Sequence, residues 1–347
     1  MPQAGAPAAA MRTTQPATIQ TDGMIHIFNG FHNPNGGSEQ EALRLYELLH
    51  GKGDVQLWST SSRTSDELSA AYPIRRLAPL KASVPRGGTY VFVGAHWRNR
   101  VWPYFAGRPE RLVYIFNTFH PKLLALTSAP PPLLRWPATE FVLISAFQAR
   151  LLGVKGEIQP SPIDIGRFAP RVRESRAQPV IGRLSRDTAD KHHPDDIAVY
   201  RTLVERGCKL LLQGATTLAG ALPQDDAIRL LPEGAMAAPD FLHELDIFYY
   251  RTGEHVETFG RVVLEAMACG LPVVCHRHGG YADVVRHGEN GYLFDTSDEA
   301  LAILAELIAQ PALRAKIGAA ARRTVEQLYS PEALDARTAF YLRGATR

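Results

Sequence analysis

The chain of 347 residues has only three cysteines, Cys208, Cys269 and Cys275, and no CxxC pair. Three thiols at such spacings make neither a disulfide framework nor a zinc ribbon, so a reducing, cytoplasmic setting is expected. No apolar run approaches the roughly 20 residues that span a bilayer, which argues against a transmembrane chain. Residues 1–22, rich in Ala, Pro, Gln and Thr, lack the continuous apolar stretch of a secretory signal and read as a disordered leader. DxD and GxSxG are absent, as is any Cys/His nucleophile signature. The net charge is only +3, too little to imply a nucleic-acid partner. What is present is a globular mixture, 45% hydrophobic and 21% charged, in a length that suits two domains of roughly 150 residues each.

The charge is unevenly spread. Residues 1–160 carry 16 Lys and Arg against 10 Asp and Glu, and the remainder carries 22 against 25. A basic first half suits anionic lipid or a phosphate-bearing substrate, although chance asymmetry of solvated surface explains the count equally well.

Short apolar runs alternate with longer amphipathic ones, the pattern of βα units and parallel sheets. Strands are expected at 24–28, 55–58, 90–93, 112–116 and 141–144. A first helix starts near Ser38, with Ser38 and Glu41 spaced as a capping box and Ala42, Leu45, Tyr46 and Leu49 as its apolar face. Gln159 to Pro170 has three prolines and no period, and reads as a linker. Alternation then resumes, with strands at 179–181, 209–212, 227–231, 246–250 and 272–275. Helices are expected at 195–205, 260–269, 299–309 and 331–342. The resulting division is 1–22 leader, 23–165 N-terminal Rossmann-like acceptor domain, 166–330 C-terminal Rossmann-like donor domain, and 331–347 a terminal helix that can pack back on the first domain. Two such domains leave a cleft at the carboxyl ends of their strands.

The most informative stretch is 257–270, ETFGRVVLEAMACG. Glu257 precedes a helix and Glu265 lies within it, surrounded by apolar residues. A carboxylate so placed needs a partner. Arg261, one turn earlier, is the plain structural choice; ligand hydroxyls, such as a ribose diol, are the functional one. Glu257, Thr258, Phe259 and Gly260 would form the helix's N-terminal turn, where free amides and the dipole favour an anion.

Glu257 and Glu265 in this context resemble the E-x7-E signature of the retaining glycosyltransferases of family 4, group 1 glycosyltransferases with the GT-B fold, and Gly279-Gly280 with 287–294, HGENGYLF, is similar to that family's continuation. The resemblance implies that Glu257 and the amides of Phe259 and Gly260 hold the donor sugar, and that Glu265 binds the nucleotide ribose. It implies that Arg183, at the end of a strand, enters the cleft and with Lys191 neutralises the donor diphosphate, where a departing anion needs fixed cations. The Arg-to-Lys interval is longer than the family's usual one, and His192 stands where glycine is common. Gly36 and Gly37, in the turn 35–39, would form the glycine-rich loop facing phosphate and acceptor; as a plain sequence feature this is a βα turn, not a dinucleotide fingerprint. His120, after a strand, would meet the donor sugar near the reacting carbon.

No metal site is expected. His192 and His193 are adjacent and diverge on a helix, and Asp195-Asp196 and Asp225-Asp226 read as exposed helix-start or turn residues. The segment 96–105, HWRNRVWPYF, interleaves bases with aromatic rings, which suits an anionic membrane interface, a sugar or a core. The expectation is an α/β protein with the GT-B fold: a retaining, metal-independent glycosyltransferase using a UDP- or GDP-linked sugar, with no cofactor. Its acceptor is expected to be a glycan or lipid-linked intermediate of lipopolysaccharide, capsule or exopolysaccharide assembly. Peripheral contact with an anionic membrane is an option; nucleic acid is not. The alternatives are another GT-B enzyme, such as a nucleotide-sugar epimerase, and a catalytically silent carbohydrate-binding partner.

Overall fold

The computed structural model describes residues 23–344 except 35, 79–82, 95–104, 121, 123, 125–131, 173–175 and 177. The leader, Asn35 and all of the base-aromatic segment but Phe105 thus lie outside the described residues.

The apolar runs form strands that are buried on both faces, as parallel strands covered by helices must be. The first sheet contains β1 (Ile25–Asn29), β2 (Val55–Ser59), β3 (Ile74–Arg76), β4 (Thr89–Val93), β5 (Arg111–Phe116), β6 (Thr139–Leu143) and β7 (Glu157–Ile158). They pair in parallel in the order β3-β2-β1-β4-β5-β6-β7. The second sheet contains β8 (Val180–Leu184), β9 (Lys209–Gln213), β10 (Ile228–Leu231), β11 (Ile247–Tyr250), β12 (Val273–His276) and β13 (Tyr292–Phe294), ordered β10-β9-β8-β11-β12-β13. In each sheet the order reverses beside the first strand, at β1/β4 and at β8/β11. Such switch points open a crevice beyond the strands' carboxyl ends.

The edge strands β3, β7 and β13 have two or three residues, too few to show a hydrophobic run, and the sequence reading does not contain them. It also lacks the helices Asp66–Ala71, Ala146–Leu152, Ala238–His243 and Pro311–Leu328. The last is eighteen residues long, yet its buried face is built largely from small residues, Gly318, Ala321 and Thr324 beside Ile317 and Val325. Small residues leave a weak periodic signal but allow close approach: a Cβ on Gly318 would run into the carbonyl of Gly270. Residues 159–170 carry no helix or strand. Beyond them, the helix Pro331–Leu342 returns to the first sheet. Tyr341 and Leu342 join the core around β1, β4 and β5, and the buried Arg111 of β5 donates to the Phe340 carbonyl at 2.8 Å.

The first helix, Gly37–Leu49, corrects the expected cap. Its N-cap is Gly36, without a side-chain cap bond, and Ser38 donates instead to the carboxylate of Glu39. Glu41 then falls on the inward face, where burial pushes its carboxyl up to about 6.

Candidate active site

A cleft of about 540 Å³ lies between the carboxyl ends of the two sheets. The first wall contributes Gly37, Asn117 and Ser161; the second contributes Arg186, Lys191, Tyr250, the segment Glu257–Val262 and Glu265. A second cavity, of about 430 Å³, lies under the first helix and the terminal helix, but none of the expected site residues lines it.

Chain geometry at 257–260 is set by its neighbours. Gly260 caps the helix Arg261–Ala268 at φ 81°, a left-handed conformation that glycine tolerates, and a Cβ there would enter the Tyr281 ring. Gly280 packs on the backbone of Thr258 and Phe259 so closely that a Cβ would overlap it, and its amide donates to the Glu257 carbonyl at 2.8 Å. The Phe259 ring is buried in the core of the second sheet, so only its backbone faces the cleft. Thr258 is a strap between the walls: its hydroxyl donates to the Asn117 carbonyl at 3.4 Å, and its carbonyl accepts from Ser145 at 2.6 Å. Asp283 adds to the strap by accepting from the Phe147 amide and from Arg150.

Glu257 is held on one side only. Its Oε2 receives the Lys191 ammonium at 2.8 Å and the Tyr250 hydroxyl at 2.9 Å, with His255 Nε2 at 3.8 Å. Its Oε1 makes no bond to another described residue, and Glu257 is one of the residues that line the cleft. Burial alone would push this carboxyl up, but Lys191, then His255 and Tyr250, outweigh it and hold Glu257 below the usual carboxylate range. Burial draws the Lys191 ammonium down, and Glu257 only partly restores it.

Glu265, 6% exposed, reaches the same cleft from within its helix. Arg261 does make the one-turn pair, at 3.5 Å, while Glu265 also lines the cleft. Burial raises its carboxyl despite Arg261 and Arg167.

Arg183 requires correction. It is fully buried and does not enter the cleft. Residues two apart on a strand share a face, and Arg183 follows Ile181 onto the face of β8 that the helix Asp196–Glu205 covers. Its guanidinium donates to the carbonyls of Arg251 at 2.9 Å and Lys191 at 2.6 Å, and lies 3.8 Å from Asp196. Asp196, read as an exposed helix-start or turn residue, does start the helix but is buried, and is bonded by Arg251 and Tyr249. Besides Lys191 and Arg261, the cleft wall carries the cation Arg186, exposed and three residues beyond Arg183, which the sequence reading missed although it lies where β8 has ended. Tyr250, the last residue of β11, was missed because a tyrosine in an apolar run reads as core.

Gly36 and Gly37 differ in kind. A Cβ on Gly36 would collide with the Glu39 carboxylate, whereas the space beside Gly37 is open and faces the cleft. His120, expected beside the donor sugar, is exposed and is not among the residues that line the cleft; its ring lies 4.2 Å from that of Phe119, which in turn sits edge-on to His255 at 6.0 Å. Among the described residues, no group of three or more His, Cys, Asp or Glu side chains is placed to hold a metal ion. Nor is any described helix long and apolar enough to cross a membrane.

Over 164 residues the chain is 30% identical to the capsular polysaccharide biosynthesis glycosyltransferase CapM of Staphylococcus aureus, covering 44% of this chain and 43% of CapM. Over 173 residues it is 31% identical to the GDP-mannose-dependent alpha-mannosyltransferase of Mycolicibacterium smegmatis, covering 47% and 45%. The matches span less than half the length of either relative. Among solved structures, HepE of Anabaena in complex with UDP superposes with a TM-score of 0.70 at 17% identity, covering 92% of this chain and 99% of that one. WaaG, a glycosyltransferase involved in lipopolysaccharide biosynthesis, superposes at 0.62 and 12% identity, covering 92% and 100%. At such identities the likeness is one of fold, and the fold is the expected GT-B arrangement. Residues 172–324 match the family model for glycosyl transferases group 1. That match contains the segment that brings Arg186, Lys191, Glu257 and Glu265 to the cleft.

Proposed function

We propose that the chain is a retaining, metal-independent glycosyltransferase of the E-x7-E type, moving a sugar from a UDP- or GDP-linked donor to an acceptor hydroxyl. The observation that carries this reading is Glu257, whose Oε2 is pinned by Lys191 and Tyr250 while Oε1 is left for a sugar hydroxyl. Glu265, the second buried carboxylate of the cleft, is placed to accept from the ribose diol, and Arg186 with Lys191 supplies positive charge for the diphosphate. In the reaction the bond from the anomeric carbon to the leaving phosphate oxygen breaks, and the acceptor oxygen bonds that carbon on the same face. The acceptor's proton passes to the departing phosphate oxygen. No protein nucleophile is needed, so Glu257 positions rather than attacks. The closed cleft limits water and hence hydrolysis of the donor.

The acceptor is proposed to be a glycan or lipid-linked intermediate of surface polysaccharide assembly, a reading that the names of CapM and WaaG support. Peripheral binding to an anionic membrane belongs to the same proposal, resting on the basic first half.

The test is a panel of UDP- and GDP-sugars with a lipid extract as acceptor, followed by product mass and anomeric configuration. Transfer with retention, undiminished by chelator, is expected. Loss of transfer that magnesium or manganese restores overturns metal independence. Conversion of donor without acceptor identifies an epimerase. No rise in melting temperature with any nucleotide or nucleotide sugar identifies a silent binding partner, since a ligand of the native state raises it by mass action.

A further inference from the structure

Between the end of β11 and Glu257 the chain makes a short loop that packs on the turn before His192. Gly253 is pressed against that turn, where a Cβ would enter the His192 carbonyl, and the His255 amide donates to the Asp190 carbonyl at 3.1 Å. The His255 imidazole is then inserted between two carboxylates. Its Nδ1 lies 3.4 Å from Asp190 Oδ2, and its Nε2 lies 3.8 Å from Glu257 Oε2. Both separations approach hydrogen-bond reach without meeting good geometry, so the ring is placed but not locked. Beside it stands Phe119, two residues beyond Asn117 of the first wall, which meets the imidazole edge-on, at 87° between planes and 6.0 Å between centroids. His120 backs Phe119 at 4.2 Å.

We propose that His255 is a positioning residue: Phe119, carried by the first domain, presses the imidazole toward Oε2 of Glu257, so that closing the cleft fixes the carboxylate whose other oxygen meets the donor sugar. The proposal rests on the glycosyltransferase reading above. Two features set this ring apart from a space-filler. Both its nitrogens face carboxylates, and it is only 18% exposed, in a loop that would otherwise be open to water. The charged groups around it are Asp190 and Glu257 on one hand, Lys191 and Arg186 on the other. Burial and the two cations keep its pKa below the ordinary value, so at neutral pH it carries a single N–H for one carboxylate at a time.

The experiment compares His255→Ala, His255→Gln, His255→Asn and His255→Leu with UDP-glucose, or GDP-mannose if the native chain prefers it. The amide nitrogen of glutamine stands near Nε2 of histidine, and that of asparagine near Nδ1. We expect H255A to raise the donor KM about tenfold while leaving the Kd for free UDP or GDP within about twofold, because a nucleotide without its sugar does not reach Glu257. H255Q restores the donor KM; H255N and H255L do not. Phe119→Ala shifts the KM in the same direction, and the double variant is no worse than H255A alone, as coupling through one contact requires. Rescue by leucine, equal rescue by asparagine, or additive costs in the double variant overturns the proposal. A native chain that transfers sugar while H255A is indistinguishable from it overturns the positioning role and leaves the proposed function standing. A native chain that neither binds nucleotide nor transfers sugar overturns both.

Discussion

The ammonium of Lys191 and the carboxylate of Glu257 meet at 2.8 Å across a turn and a loop that are 66 residues apart in the chain. The Tyr250 hydroxyl reaches the same oxygen, so the partners of Glu257 crowd onto Oε2 and its other oxygen is left to the cleft.

Removing one member of this pair leaves a buried charge unpaired. Lys191→Ala is expected to destabilise the chain by about 3 kcal/mol, the low end for breaking a buried pair, and to abolish transfer. Adding Glu257→Gln should recover most of the stability and none of the activity. Urea midpoints and initial rates on the two variants check this; a double variant no more stable than the single one refutes the pairing.

Arg183 and Arg186 should separate cleanly. Arg183→Met removes donors from two buried carbonyls and a cation from Asp196, and should cost about 3 kcal/mol of stability. Arg186→Ala, at an exposed cleft position, should leave the melting temperature unchanged. It should weaken nucleotide binding about tenfold and reduce the salt dependence of that binding. Equal melting curves for the two variants would refute the structural role of Arg183, and unchanged nucleotide binding in Arg186→Ala would refute the diphosphate role of Arg186.

Glu265→Ala removes a buried carboxylate acceptor from the cleft and should weaken UDP or GDP binding by well over 1 kcal/mol, about tenfold. Arg261→Ala, which removes its internal partner, serves as the control and should change binding less. Calorimetry with the free nucleotide decides; an unchanged Kd for Glu265→Ala removes the ribose role.

Acid should unfold the chain partly through His26. Burial lowers its pKa to about 4, and its Nδ1 accepts from the Trp58 indole at 2.9 Å, a bond that only the form unprotonated at Nδ1 can accept. The folded value lies below the unfolded one near 6.5. The contribution of the neutral ring is therefore complete above pH 6.5 and is lost as pH falls from there to about 4. A gap of that size is worth about 3 kcal/mol. Urea midpoints at pH 7.5 and 4.5 should diverge less for His26→Gln than for the native chain; an equal drop refutes the assignment.

Sequence alone determined the alternating α/β architecture, because strands such as β1 and β5 are apolar on both faces and announce a parallel sheet without reference to anything else. It also marked the stretch 257–265, where two carboxylates stand eight apart on either side of Gly260. Short edge strands and the small-residue helix Pro311–Leu328 stayed silent, since two or three residues, or a face of glycine and alanine, carry little hydrophobic signal. The bearing of each charged side chain was decided only by tertiary structure. Arg183 looks like a cleft cation in one dimension, yet strand pleat turns it under a helix, while Arg186 three residues later faces the cleft. Asp196 is buried because Arg183 and Arg251 converge on it from β8 and β11. Likewise, Lys191, Tyr250 and His255 gather around a single oxygen because two sheet edges and a loop meet there, and no local spacing encodes that meeting.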